Sequence, residues 1–131
     1  MKPLRTYGIE LIIDLHECRQ SKMSRKQIKK YFSHVCNITG VKPCKQTFWD
    51  YYWWPMWVSR LMKWDKNDRI WGTSAVQFIT TSNITIHTIY NMRQVYINVF
   101  SCDNFDHEML LQFTWEWFGG KIVHHQTLER V

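Results

Sequence analysis

Between residues 70 and 92 the chain carries no Asp, Glu, Lys or Arg. An uncharged stretch of that length is long enough to test as a membrane span, and it fails the test. Ser, Thr, Asn, Gln and His recur through it, and apolar and polar residues alternate with the period of a strand. Closely spaced cysteines are missing too. Cys18, Cys36, Cys44 and Cys102 form no paired pattern, which argues against a zinc site and points to a reduced, cytoplasmic protein. The "VHHQ" near the end reads as strand residues, so no metal is expected. A secretory signal is not expected either: the early apolar run "YGIELIIDL" contains Glu10 and Asp14 and has no small-residue cleavage site. Internal repeats and low-complexity tracts are absent.

What is present is an ordinary globular composition. The 131 residues suit one domain with one modest core, and 45% hydrophobic against 21% charged residues is typical of soluble proteins. The net charge of +6 raises the question of nucleic acid. The basic residues are spread out, however, and the densest run, "SRKQIKKYF", reads as the solvated face of a helix. Neither a nucleic-acid nor a membrane partner is expected.

The pattern then divides into elements. "TYGIELIIDLHEC" reads as a first strand, apolar enough to be central. "MSRKQIKKYFSHVC" reads as a helix capped by Ser24, with Gln27 completing a capping box and Ile28, Tyr31, Phe32 and Val35 on one face. Gly40 ends it. "TFWDYYWWPMWVSRLMKW" holds five of the eight tryptophans and is interrupted by Pro55. Residues 48–64 read as an aromatic-rich insertion packed on the core or on a second subunit, with a stacking surface for a planar ligand and a membrane-interface belt as the other readings. "GTSAVQFIT", "NITIHT" and "QVYINVFSC" are strands, the last two joined by a turn at Asn91. "FDHEMLLQFTWEWFGG" is a second helix capped by Asp103 or Asp106, with Leu110, Phe113 and Trp117 on a face and Gly119 and Gly120 at its end. "KIVHHQTLERV" closes the chain as a strand. The order β-α-β-β-β-α-β predicts an α+β two-layer sandwich, with both helices on one face of an antiparallel sheet. The bare face needs a partner, and a second copy of the chain is the simplest one, giving a homodimer.

The hairpin brings chemistry together. In an antiparallel pair the numbers of facing residues have a constant sum. A turn centred on Asn91 and Met92 that pairs Thr88 with Val95 puts Ser82 opposite Ser101, and a slip of one puts it opposite Cys102. The serine that opens one strand is therefore expected beside the cysteine that closes the next. Ser74 lies eight residues before Ser82, so an unbroken strand keeps both on one face. His87 is five residues from Ser82 and falls on the other face, unless the chain bulges, turns or is broken near residue 82.

"GTSAVQFITTSNITIHT" followed by "VYINVFSC" resembles the prokaryotic S-adenosylmethionine decarboxylase proenzymes. That family carries Glu-Ser-His-hydrophobe-Thr-Ile-His-Thr and then a strand ending Phe-(Thr/Ser)-Cys. Ser82, Ile84, Thr85, Ile86, His87 and Thr88 match, as do Phe100, Ser101 and Cys102, and Gly72 and Ser74 fall in register. The resemblance is good over roughly residues 70–131 and looser over the first strand and helix. It implies self-cleavage: Ser82 attacks the carbonyl of Thr81, and elimination leaves a pyruvoyl group at a new N-terminus. That group forms a Schiff base with a substrate amine and takes up the electrons released with CO₂. The family's roles carry over as follows. His87 is the base of processing, Ser74 assists it, and Cys102 returns a proton to the decarboxylated carbon and supports processing.

The sequence departs from the family where Thr81 stands for a glutamate and Asn83 for a histidine. It departs again at Asn91, which stands for the glutamate that contacts the substrate ribose. The adenine-stacking aromatic falls on Asp68, with Trp64 or Trp71 as substitutes after a shift. The resemblance thus implies a pyruvoyl-dependent decarboxylase of polyamine biosynthesis, with S-adenosylmethionine as substrate. The altered ribose contact keeps ornithine or arginine open, and an uncleaved binding or regulatory homologue is the reading of a different class.

Overall fold

The alternation in "GIELIIDLH" becomes strand β1 (Gly8–His16), in a computed structural model that describes residues 5–50 and 71–131. Leu11, Ile13 and Leu15 point into the core from β1, and Glu10, Ile12 and Asp14 point the other way. After a short 3₁₀ turn (Gln20–Lys22) comes helix α1 (Arg25–Thr39). The Gln27 N–H donates to the Ser24 hydroxyl at 3.3 Å, as an N-cap serine should accept. All four residues expected on the buried face of α1 are fully buried. Gly40 stops the helix with φ 71°, a left-handed conformation that costs glycine little, and its N–H returns to the Cys36 carbonyl.

Strand β2 (Pro43–Asp50) is an element that the sequence pattern did not give. It opens on a proline, which an edge strand tolerates, and runs into the segment read as an insertion. Residues 48–50 belong to this strand, and residues 51–64 lie outside the described residues. Phe48 packs on Phe32, with ring centroids 6.2 Å apart. Strands β3 (Gly72–Ile79), β4 (Ser82–Ile89) and β5 (Gln94–Ser101) follow as a meander, then helix α2 (His107–Phe118) and strand β6 (Lys121–Arg130). Asp106, not Asp103, caps α2, accepting from the Met109 N–H at 3.0 Å. The six strands form one antiparallel sheet in the order β2-β3-β4-β5-β1-β6, so β1 is paired on both sides.

Both helices lie on one face of that sheet. They meet where the Tyr31 hydroxyl and Thr114 Oγ1 share a buried hydrogen bond of 2.8 Å. Tyr31 also packs on Phe113 and Phe118, with centroids 5.8 Å and 5.0 Å away. The core between helices and sheet takes Leu11, Ile13 and Leu15 from β1, Ile84 and Ile86 from β4, and Val95, Ile97 and Val99 from β5. The opposite face carries Ser74, Thr85, His87, Tyr96 and Asn98, all at least partly exposed, and no described element covers it. None of the described helices is long and apolar enough to cross a membrane.

Candidate active site

Two clusters form, one at the end of the sheet and one on its open face. The first is built by two hairpins. Strands β3 and β4 are joined by a tight turn at Thr80 and Thr81, which makes Ser82 the first residue of β4. In the next hairpin Thr88 faces Val95 and Asn83 faces Phe100, and the same sum places Ser82 opposite Ser101. The Ser82 hydroxyl donates to the carbonyl oxygen of Thr81, and the Cys102 N–H donates to Ser82 Oγ at 3.0 Å. Ser101 is buried, and its own hydroxyl accepts from the Asp103 N–H at 3.2 Å. The Cys102 thiol is half-buried and in no disulfide. The serine oxygen is thus held against the peptide group that precedes it, with a backbone donor aimed at it.

The second cluster belongs to β3 and β4 farther along. Ser74 faces His87 in the register, and Ser74 Oγ lies 2.7 Å from His87 Nδ1. Partial loss of water around the imidazole lowers its pKa from the ordinary 6.5. The pair lies in a groove of about 350 Å³ that Thr47, Trp49, Tyr96 and Asn98 also line. Trp49 is 73% exposed there. Asn98 donates to Glu10 at 2.9 Å, and Glu10 in turn pairs with Arg130 at 2.6 Å.

One chain does not bring these clusters together. Ser82 has the parity of Ile84 and Ile86, on the helix side, and His87 points to the open face. Five strand residues also separate them by about 16 Å. Ser74 shares a face with His87 and not with Ser82. Counting through an unbroken strand fails because the chain reverses at Thr80 and Thr81. Asn91 sits in the turn between β4 and β5, nine residues and about 30 Å along from Ser82. Trp71 is only 3% exposed and offers no open ring face to a ligand. Trp64 and Asp68 lie outside the described residues.

The sequence reading missed Tyr96 and Asn98, although the register that it used places Tyr96 opposite His87. It held Trp49 only as one of the aromatics of the run 48–64.

Residues 9–131 match the family model for S-adenosylmethionine decarboxylase. The chain belongs to the S-adenosylmethionine decarboxylase family. The fold is similar to the crystal structure of the adenosylmethionine decarboxylase from Aquifex aeolicus, with a TM-score of 0.74 over 97% of this chain and 92% of that one. At 16% identity that likeness speaks for the fold alone. Comparison with curated protein sequences finds no match. Membership makes this an S-adenosylmethionine decarboxylase-like chain, and the activity that names the family is that of a carboxy-lyase. The family is pyruvoyl-dependent in general. The neighbourhood of Ser82 fits the making of a pyruvoyl group, since hydroxyl, preceding carbonyl and backbone donor already meet there.

Proposed function

We propose that the protein is a self-processing, pyruvoyl-dependent S-adenosylmethionine decarboxylase of polyamine biosynthesis. The observation that carries the reading is the position of Ser82 Oγ, between the Thr81 carbonyl and the Cys102 N–H. The chemistry begins with Ser82 Oγ adding to the Thr81 carbonyl carbon. The C–N bond breaks, and the peptide becomes an ester with a free amine at residue 82. The Cys102 N–H keeps the oxygen oriented. A base then removes the Cα proton of Ser82, and the Thr81 carboxylate leaves with the former hydroxyl oxygen. Water hydrolyses the resulting enamine with release of ammonia, leaving the pyruvoyl group at residue 82. The halves, 1–81 and 82–131, stay joined because β3 pairs with β4 and β1 pairs with β5 and β6. A pyruvoyl group supplies a carbonyl that condenses with the substrate amine and accepts the electron pair released with CO₂. Cys102 stands ready to return a proton.

The Ser74–His87 pair serves as the processing base, and it acts from a second copy. Within one chain it lies on the wrong face and about 16 Å away. A homodimer that sets the Thr81–Ser82 end of one sheet against the open face of the other gives each Ser82 access to its partner's imidazole. Among the described residues no group of His, Cys, Asp or Glu is placed to hold a metal ion, and a cytoplasmic enzyme is the simplest setting.

Denaturing mass spectrometry of the purified protein tests the reading. We expect two fragments that meet at Thr81 and Ser82, the C-terminal one lighter than the unmodified peptide 82–131 by the mass of one ammonia. The Ser82→Ala chain should fold and stay whole. A folded parent chain that remains intact after long incubation overturns self-processing and leaves the uncleaved binding homologue. Carboxyl-labelled S-adenosylmethionine should release CO₂, and ornithine and arginine should not; the reverse pattern overturns the substrate.

A further inference from the structure

We infer that Gly8 is a positioning residue for the cleavage of the Thr81–Ser82 bond, an inference that rests on the self-processing proposed above. Strand β1 faces β5 with Ile9 opposite Ser101, so the same register brings Gly8 opposite Cys102. The approach is too close for any side chain. A Cβ built on Gly8 would lie 2.2 Å from the Ser101 carbonyl oxygen and 2.9 Å from Cys102 Cα. Those are backbone atoms, which cannot rotate aside. Gly8 is not among the glycines with positive φ, so the position needs a glycine for space and not for conformation.

The Ser101–Cys102 segment is the one that carries the N–H directed at Ser82 Oγ. A methyl group at residue 8 must displace something by about 1 Å to reach an ordinary contact. Strand β1 yields least, because it is fixed between β5 and β6, with Gly8 itself paired to Arg130. The end of β5 yields most, since the chain leaves the sheet there. Ser101 and Asp103 are tied by their own hydrogen bond, so the segment shifts as a unit and takes the Cys102 N–H with it. Gly8 thereby sets how far Cys102 approaches Ser82. A misplacement of about 1 Å in a reacting geometry costs on the order of 100-fold in rate.

The experiment follows cleavage of Gly8→Ala by timed denaturing mass spectrometry, with the rate expressed per folded molecule and the folded fraction taken from circular dichroism. Gly120→Ala is the control. Gly120 has φ 75°, and its Cβ would press on the backbone of His16 and Glu17, at the other end of β1. We expect Gly8→Ala to cleave about 100-fold more slowly than the parent. Gly120→Ala should melt earlier yet cleave at the parent rate. Hydroxylamine, which cuts esters and not peptides, should leave Gly8→Ala whole, because the ester itself fails to form. If Gly8→Ala is unfolded in buffer, both chains are measured in a stabilising osmolyte. Cleavage of Gly8→Ala at the parent rate overturns the inference, and failure to fold even in osmolyte overturns it in favour of a folding role. An uncleaved parent chain instead removes the self-processing reading on which it rests.

Discussion

Ser74 and His87 face each other across β3 and β4, with the hydroxyl oxygen 2.7 Å from the imidazole Nδ1. The imidazole is partly desolvated, which favours its neutral form and lowers its pKa below the ordinary 6.5. A neutral imidazole is what a base requires. Self-cleavage is therefore expected to be independent of pH above about 6.5 and to slow as pH falls through the lowered value. By the same shift the fold is more stable with a neutral His87 than with a charged one. Its contribution is complete above the unfolded pKa and disappears as pH drops through the folded one. Cleavage rates measured from roughly pH 5 to 8 check the sign, and a rate that rises on acidification contradicts it.

The buried bond between Tyr31 and Thr114 joins the two helices, and its loss is a prediction about stability alone. Burial drives the Tyr31 pKa far above its usual range, so the phenol is a neutral donor or acceptor. Tyr31→Phe keeps the ring contacts and leaves the Thr114 hydroxyl without that partner. The expected cost is about 1–3 kcal/mol in urea unfolding. Tyr31→Phe combined with Thr114→Val should recover part of the loss, because no polar group is then stranded. A double variant less stable than the single one contradicts this account.

How far these arrangements were legible depends on their range. Local signals were readable: the Ser24 cap, the buried stripe Ile28, Tyr31, Phe32 and Val35, and the left-handed Gly40. The Ser82–Cys102 contact was readable too, because one turn fixes the register of a hairpin. Strand β2 was not. Its core-facing Gln46 is polar and bonds to Gln77 at 2.6 Å, and Gln77 is buried and donates to the Cys44 carbonyl. Two glutamines that satisfy one another hide an apolar alternation. The face of Ser74 was misjudged because a count of eight residues ran through the reversal at Thr80 and Thr81. The family resemblance offers Trp71, after a shift, for the adenine-stacking aromatic, yet Trp71 is interior, while Trp49 is open. Nothing in a sequence of tryptophans distinguishes the two before the strands are placed.

Cys102 presents two different groups, and they separate under mutation. Its backbone N–H contacts Ser82 Oγ, and its thiol does not take part in that bond. Cys102→Ala keeps the backbone donor, so self-cleavage should continue. Decarboxylation by the processed protein should fall by about 10² to 10⁴, the usual contribution of a positioned proton donor. Parallel assays of chain cleavage and CO₂ release distinguish the steps. Full turnover by processed Cys102→Ala removes the thiol from the mechanism.

The separation of Ser82 from His87 within one chain leads to a test in which two inert chains rescue each other. The Ser82→Ala chain retains a working imidazole and has nothing to cleave. The His87→Ala chain retains the scissile serine and lacks the base. Each alone should stay whole. Co-expressed with different tags, they should form mixed dimers in which the intact imidazole of one copy reaches the intact serine of the other. Random pairing puts about half of the His87→Ala chains in such dimers, so roughly half of them should be cut and none of the Ser82→Ala chains. The tags identify which chain was cleaved. Mixed dimers that form and remain uncut would place the base within a single copy. The strand parity that now sets His87 on the open face would then have to change before cleavage.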